Sequence, residues 1–232
     1  MLGKNIDWKA IQNEFASKGY VRINNVLEET VCERVRDQLV NEAPWGIKFT
    51  SKNGPITLPR DEFLSMSPQQ LKSFHQELIW ATQNKGMAYF YFTCELDQLG
   101  SSCAEFIDYI MSQEFVGLIK YVTGNLNING FEGHSACYRP NCFLTTHHDL
   151  DAANQRKTAF IFGFTKFWKM EWGGLLHMLD DDMNINEVLV PSHNTLTLFS
   201  VPRNHFVSHV APYASQNPKH GRYTITGWYL QK

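Results

Sequence analysis

The apolar positions of this chain change their period part-way along it. Over residues 7–18, Trp8, Ile11 and Phe15 recur at helical spacing, and Gly19 follows where a helix can end. YVRINNVL reads as a short strand and a turn. EETVCERVRDQLV reads as an amphipathic helix with Val31, Val35 and Leu39 on one face. Segment 46–60 holds two strand-like pieces, IKFT and PITL, divided by an Asn-Gly turn. Ser67-Pro68-Gln69-Gln70 supplies an N-cap serine, a proline at the first helical position and a glutamine that closes a capping box. The helix it starts is predicted to run to about Asn84, with Gly86 beyond. MAYFYFTC reads as a strand, and 102–123 as one or two helices ended by Gly124.

From about residue 126 short apolar or alternating runs take over: GFEGHSACYR, CFLTTHHDL, KTAFIFGFTKFW, GGLLHML, EVLV, TLTLFSV, HFVSHVAPY and RYTITGWYLQ. Turn-rich spacers such as PSHN and SQNPKHG separate some of them. Roughly eight strands at this spacing predict a closed or sandwiched β-fold. The expected class is mainly β with flanking helices (α+β). A mostly helical 1–125 supports a β-rich 126–232, and the whole of 1–232 forms one domain.

Composition narrows the picture. Hydrophobic residues make up 43% of the 232 and charged residues 19%, enough for a packed core. The formal charge of −2 excludes the diffuse basic surface used for nonspecific nucleic-acid binding. No run approaches ~18 apolar residues, so no membrane span is expected, and the N-terminal MLGKNIDWKAIQNEF has no apolar signal core. Five cysteines, Cys32, Cys94, Cys103, Cys137 and Cys142, contain no CxxC pair. That disfavours a disulfide framework or a thiolate zinc site and favours a reducing, cytoplasmic setting.

The candidate chemistry sits in 144-LTTHHDLD-151. In a strand, residues i and i+2 share a face, so His147 and Asp149 can converge on one ion while His148 points away. Asp151 does not share their face. Two histidines and a carboxylate on one face leave coordination positions open, the arrangement of non-heme Fe(II) oxygenases. The third ligand must come from a later strand, and His177, His193, His205, His209 and His220 are candidates. His193 falls in a turn and His220 in a polar loop. Around His177, Leu176 and Met178 make the better inward pair. His205 and His209 remain, both in HFVSHV.

The ordered set Tyr138, His147-x-Asp149, Arg156, Trp168, Gly173-Gly174-x-Leu176, His205-x-Val207-x-x-Val210 and Arg222-Tyr-Thr-Ile-Thr-x-Trp228 resembles the prolyl hydroxylase branch of the iron(II)- and 2-oxoglutarate-dependent dioxygenases, over roughly residues 132–232. The resemblance implies a double-stranded β-helix of the jelly-roll or cupin kind, and Fe(II) held by His147, Asp149 and His205. His205 fits the H-x-V-x-x-V pattern and His209 falls in a variable position. It further implies that Arg222 grips the distal carboxylate of 2-oxoglutarate, as a guanidinium fork can, with Thr226 and Tyr138 adding hydroxyl donors. Arg156 is expected to fix a strand start, and Trp168 and Trp228 to be core. Two features depart from the family pattern. Gly163 stands where the hypoxia-sensing enzymes and their close bacterial relatives carry a tyrosine, and the His205–Arg222 spacing is lengthened by SQNPKHG, read as a loop insertion.

The reaction so implied consumes O₂ and 2-oxoglutarate, gives succinate and CO₂, and hydroxylates an unactivated C–H bond, with ascorbate as a possible helper. The expected substrate is a peptidyl proline or proline-like compound. A free amino acid or natural-product scaffold is the close competitor. Segments 44–65 and 180–187 are candidate flaps over the barrel mouth. A non-catalytic metal-binding β-helix protein is the rival reading, although a metal holder has no need of a carboxylate clamp. A zinc hydrolase ranks lower, because no general base stands near the HxD.

Overall fold

Gly19 ends the first helix as its position predicts. In the computed structural model, which describes residues 1–153 and 155–232, α1 (Trp8–Lys18) starts where the Asp7 carboxylate accepts the Ala10 N–H. It stops at Gly19, whose φ of 72° suits a residue without Cβ. The chain continues through β1 (Tyr20–Asn24), α2 (Glu29–Asn41), the β2–β3 hairpin (Gly46–Ser51, Gly54–Pro59) and a short α3 (Arg60–Leu64). In α4 (Pro68–Asn84) both reciprocal bonds of the Ser67/Gln70 capping box are formed. Then come β4 (Tyr89–Glu95), α5 (Ser101–Met111) and α6 (Gln113–Thr123), which ends at a left-handed Gly124.

The eight expected strands follow: β5 (Gly130–Tyr138), β6 (Phe143–His147), β7 (Arg156–Phe164), β8 (Leu176–Leu179), β9 (Ile185–Leu189), β10 (His193–Ser200), β11 (His205–Val207) and β12 (Arg222–Leu230). The sheet is antiparallel, in the order β1-β10-β7-β12-β5-β4-β6-β11-β8-β9, with the β2–β3 hairpin attached through β4. It curls over itself as a double-stranded β-helix. The N-terminal half is therefore more than helical support, since it contributes β1 to β4 to the same sheet.

Alternation along the strands divides the core in two. On β7, Phe160, Phe162 and Phe164 face the helices, where Phe162 meets Phe106 of α5 edge-on at 4.9 Å. Fully burying such a ring contributes about 1.5–3 kcal/mol. The residues between them, Ala159, Ile161 and Gly163, face the inside of the curl. On β12, Tyr223, Ile225 and Tyr229 join the helix-side core, whereas Arg222, Thr224, Thr226 and Trp228 face inward. Both faces of these strands are covered, one by helices and one by the other wall of the curl. On the second wall, α4 packs Phe74 against Phe49, Phe63 and Phe90.

The two expected flap segments are regular parts of the sheet. β2 pairs with β4 from Gly46↔Thr93 to Phe49↔Phe90, so segment 44–65 extends the sheet, and of it only Lys48 reaches the inner cavity. Segment 180–187 is the β8–β9 turn, closed by the Asp180 carboxylate accepting from the Asp182 and Asn184 N–H groups. The long connection from β11 to β12 is a loop, as its polar sequence suggests. It is pinned by Tyr223 Oη donating to the Pro218 carbonyl, by Arg36 donating to that of Lys219, and by His220 stacking on Trp172. Its extra length leaves β11 in register: His205 lies opposite His147 on β6 and Met178 on β8.

Candidate metal and cosubstrate site

β6 and β11 run side by side, and the His205↔His147 pairing brings two imidazoles together, ring centroids 4.2 Å apart. β6 ends at His147, so Asp149 lies just beyond the strand rather than within it. The chain turns there because the Asp151 carboxylate accepts the Gln155 and Arg156 N–H groups. Asp149 still swings to the same side as His147. Its Oδ1 is 3.3 Å from His147 Nε2, and its Oδ2 is 3.7 Å from His205 Nε2. His148 is exposed at the rim.

The tautomers show what the triad suits. His147 Nδ1 is 3.0 Å from the Thr145 carbonyl, and His205 Nδ1 is 2.9 Å from that of Arg203. A carbonyl only accepts, so each Nδ1 carries the proton and each Nε2 presents a lone pair. Those lone pairs and the Asp149 carboxylate all lie within 4.8 Å of one another. Three electron-rich atoms held this close favour a cation among them. A proton is a poor choice at His205, where burial and the neighbouring His147 push the pKa down to about 4. Burial also acts to raise the Asp149 carboxyl. The two adjacent imidazoles outweigh it and hold the carboxyl low, at about 2, so Asp149 presents a charge rather than a proton. Backbone-anchored Nδ1–H groups with free Nε2 atoms are the usual second-layer support of metal-ligating histidines. The donor set therefore fits a divalent ion of the Fe(II) type.

The triad opens into a cavity of about 500 Å³. Arg222 lines it from β12. It is only 5% exposed, yet among the described residues no carboxylate lies within salt-bridge distance. One N–H donates to the Gly174 carbonyl at 3.0 Å, and the guanidinium lies 4.7 Å from the Tyr138 ring. A buried guanidinium without an anion is costly, and a ligand carboxylate would remove that cost. Tyr138, opposite Arg222 in the β5–β12 register, lines the cavity and stacks on Tyr91 at 5.4 Å. Thr226 also lines it, but its hydroxyl donates to the Phe160 carbonyl at 2.8 Å, so its proton is already committed. Thr224 likewise donates to Ala136.

The other candidate histidines are elsewhere. His177 stacks on Phe206 at 4.2 Å, His209 is exposed, and His220 belongs to the pinned loop. His193 is not in a turn but begins β10, where it meets Glu29 and Glu33 of α2. Trp228 is both core and cavity wall: it packs against the inner core cluster and lines the cavity, with the Arg156 guanidinium 3.6 Å from its ring while Arg156 also grips Glu132 with two hydrogen bonds. His134, between Tyr91 and Trp228, completes that wall. Its alternation with Gly133 and Ser135 on β5 is the one signal that could have marked it.

The comparisons agree with this geometry. The family model of the 2OG-Fe(II) oxygenase superfamily matches residues 133–230. No curated protein sequence matches the chain. Among solved structures, a Pseudomonas putida prolyl-4-hydroxylase is similar at 16% identity and a TM-score of 0.63, with 97% of this chain and 99% of that one covered. A Trichoplax adhaerens prolyl hydroxylase, in complex with a hypoxia inducible factor oxygen degradation domain peptide fragment, is similar at 16% identity and a TM-score of 0.61, covering 98% and 94%. A 2OG-Fe(II) oxygenase family oxidoreductase from Burkholderia pseudomallei follows at 10% identity and 0.61, covering 100% and 94%. Residues 133–230, which hold His147, Asp149, His205 and Arg222, thus match the model of the 2OG-Fe(II) oxygenase superfamily, and the chain as a whole shares the double-stranded β-helix fold of the prolyl hydroxylases it resembles.

Proposed function

We propose that this chain is a 2-oxoglutarate-dependent oxygenase that hydroxylates an unactivated C–H bond of a prolyl or proline-like substrate. His147, Asp149 and His205 would hold Fe(II), and Arg222 would hold the distal carboxylate of 2-oxoglutarate. The observation that carries the reading is a cavity with three cation-seeking ligand atoms in one part and a buried, carboxylate-free Arg222 in another. The bound ion and cosubstrate would supply O₂ activation coupled to decarboxylation, giving succinate and CO₂, with ascorbate as the reductant that keeps the ion ferrous. The chain's own residues do the rest. Thr145 and Arg203 fix the ring orientation of the two histidines through their carbonyls. Tyr138 backs Arg222, and Ala159, Ile161, Leu176 and Val207 keep the inner wall apolar.

The wall of His134, Tyr91 and Trp228 supports a compact, largely apolar ring as the group presented for reaction. A second reading has its own support. The mouth carries charges of both signs, Lys48, Glu95, Glu132 and Arg156, which suits a zwitterionic free amino acid.

The test is an anaerobic titration of metal-free protein with Fe(II) and then 2-oxoglutarate, following the visible charge-transfer band of the chelate. A saturable band is expected in the wild type and none at comparable concentrations in Arg222→Ala. Folded, iron-loaded wild type without a band would overturn the oxygenase assignment of these residues. Mass spectrometry for a gain of one oxygen, on proline-containing peptides against free amino acids, then separates the two substrate readings.

A further inference from the structure

Arg222 is not the only cation at the closed end of the cavity. Beside the main space lies a small internal pocket of about 10 Å³, on the scale of one oxygen-sized guest. Ile161, Leu176, Arg222 and Thr224 line both spaces, so the small pocket is the blind end of the large one. Its far wall includes Arg22, which β1 places opposite Thr197 of β10. Arg22 Nε donates to Thr197 Oγ1 at 3.3 Å, and one Nη1 proton goes to the Val190 carbonyl at 2.8 Å. Among the described residues no carboxylate lies within salt-bridge distance of it, and its remaining N–H groups make no hydrogen bond. Burial first, and the positive charge of Arg222 next, push its pKa down to about 10. Glu187 acts on Arg22 without contacting it and offsets this only in part. Two guanidiniums thus line one small pocket with no carboxylate in contact with either, an arrangement that a ligand anion would relieve.

The room for this pair comes from Gly163. A Cβ there would stand 2.5 Å from Thr195 Oγ1 and 2.6 Å from the Ser192 carbonyl, where β10 is bulged between His193 and Thr195. No side chain fits on β7 at that position, and the space beside Arg222 is left to Arg22.

We propose that Arg22 is a second binding residue for the cosubstrate: together with Arg222 it clamps the distal carboxylate of the 2-oxo diacid, from the opposite side of the blind pocket. This rests on the proposed role of Arg222. It makes selectivity for a diacid over a mono-acid the joint property of two strands that are remote in sequence.

The test is isothermal titration of Mn(II)-loaded protein, in which no turnover occurs, with two ligands. One is 2-oxoglutarate. The other is 2-oxopentanoate, the same five-carbon 2-oxo acid without the distal carboxylate. In Arg22→Gln, 2-oxoglutarate should bind about 10- to 100-fold more weakly, as expected for loss of one charged, half-buried hydrogen-bonding partner, while 2-oxopentanoate binds as before. Arg22→Lys, which keeps a cation but not the fork, should lose part of the preference. Equal weakening of both acids would mean that Arg22 only supports the fold and would overturn the proposal, as would an unchanged preference in both variants. A wild type without preference for the diacid would instead sink the carboxylate clamp as a whole, Arg222 included.

Discussion

Two clusters in this molecule each bring three ligand-type atoms within 4.8 Å, and they are built on opposite electrostatic principles. His147, Asp149 and His205 are enclosed, and among the described residues no lysine or arginine pairs with Asp149. Glu29, Glu33 and His193 tie α2 to the start of β10. There Lys166 pairs with Glu33, His193 Nε2 lies 2.8 Å from Glu33 Oε1, and Glu29 is 62% exposed. The second cluster already contains a cation, Lys166, to answer its carboxylates. The first has donors fixed in place and nothing positive among them. Proximity of ligand atoms is therefore a poor guide to metal binding, and an unmet demand for positive charge is a better one.

The sharpest way to break this comparison is to remove one carboxylate from each cluster. Asp149→Ala is expected to lower Fe(II) affinity by at least about 100-fold, since a direct ligand should matter at least as much as the outer partners of a metal site. Glu33→Ala and the rim variant His148→Ala should retain one ion per chain. Quantifying iron after anaerobic dialysis decides it. Two ions in the wild type and one in Glu33→Ala would show that the ion-paired cluster binds metal after all.

A pH scan tests the cavity's preference for neutral bases. Burial, with Lys48 and Arg156 nearby, pushes the His134 pKa down to about 4, against about 6.5 in an unfolded chain. Between those values the unfolded state binds more protons. The contribution is thus complete above about pH 6.5 and is lost as the pH falls toward 4, by up to about 3 kcal/mol. Urea unfolding at several pH values should show this slope, and His134→Asn should flatten it. The smallest effect belongs to the outer network. Glu33→Gln should cost about 0.5–1 kcal/mol and less in high salt, the range of partly exposed ion pairs. A larger, salt-insensitive loss would mean that the cluster is a buried lock rather than a surface tie.

Most of the framework was legible in the sequence. The eight C-terminal strands, the Ser67 capping box and the Gly19 and Gly124 helix ends are local signals, and local chemistry decides them. The ligand triad needed more, because His205 and His209 could not be separated by strand parity in so short a segment. Only the ordered motif distinguished them. Trp228 was legible as a core residue but its direction was not, because both faces of β12 are buried. Hydrophobicity alone cannot say that Trp228 faces the cavity and Tyr229 the helices. His193 was misplaced by its Pro-Ser-His-Asn context, which is turn-like in composition but forms the bulged start of β10. Arg22 was invisible, because its meaning depends on β1 pairing with β10 far along the chain.

The pairing of His147 with His205 also bears on how the chain comes to be folded. The two lie on strands separated by β7 to β10 in the sequence, so the proposed ion could not be gripped until a long segment had closed on itself. Such long-range closures tend to be slow and entropically costly steps of assembly. An ion bound only after closure stabilises that last event by mass action. Metal uptake during refolding should therefore report the moment at which the two walls of the sheet meet.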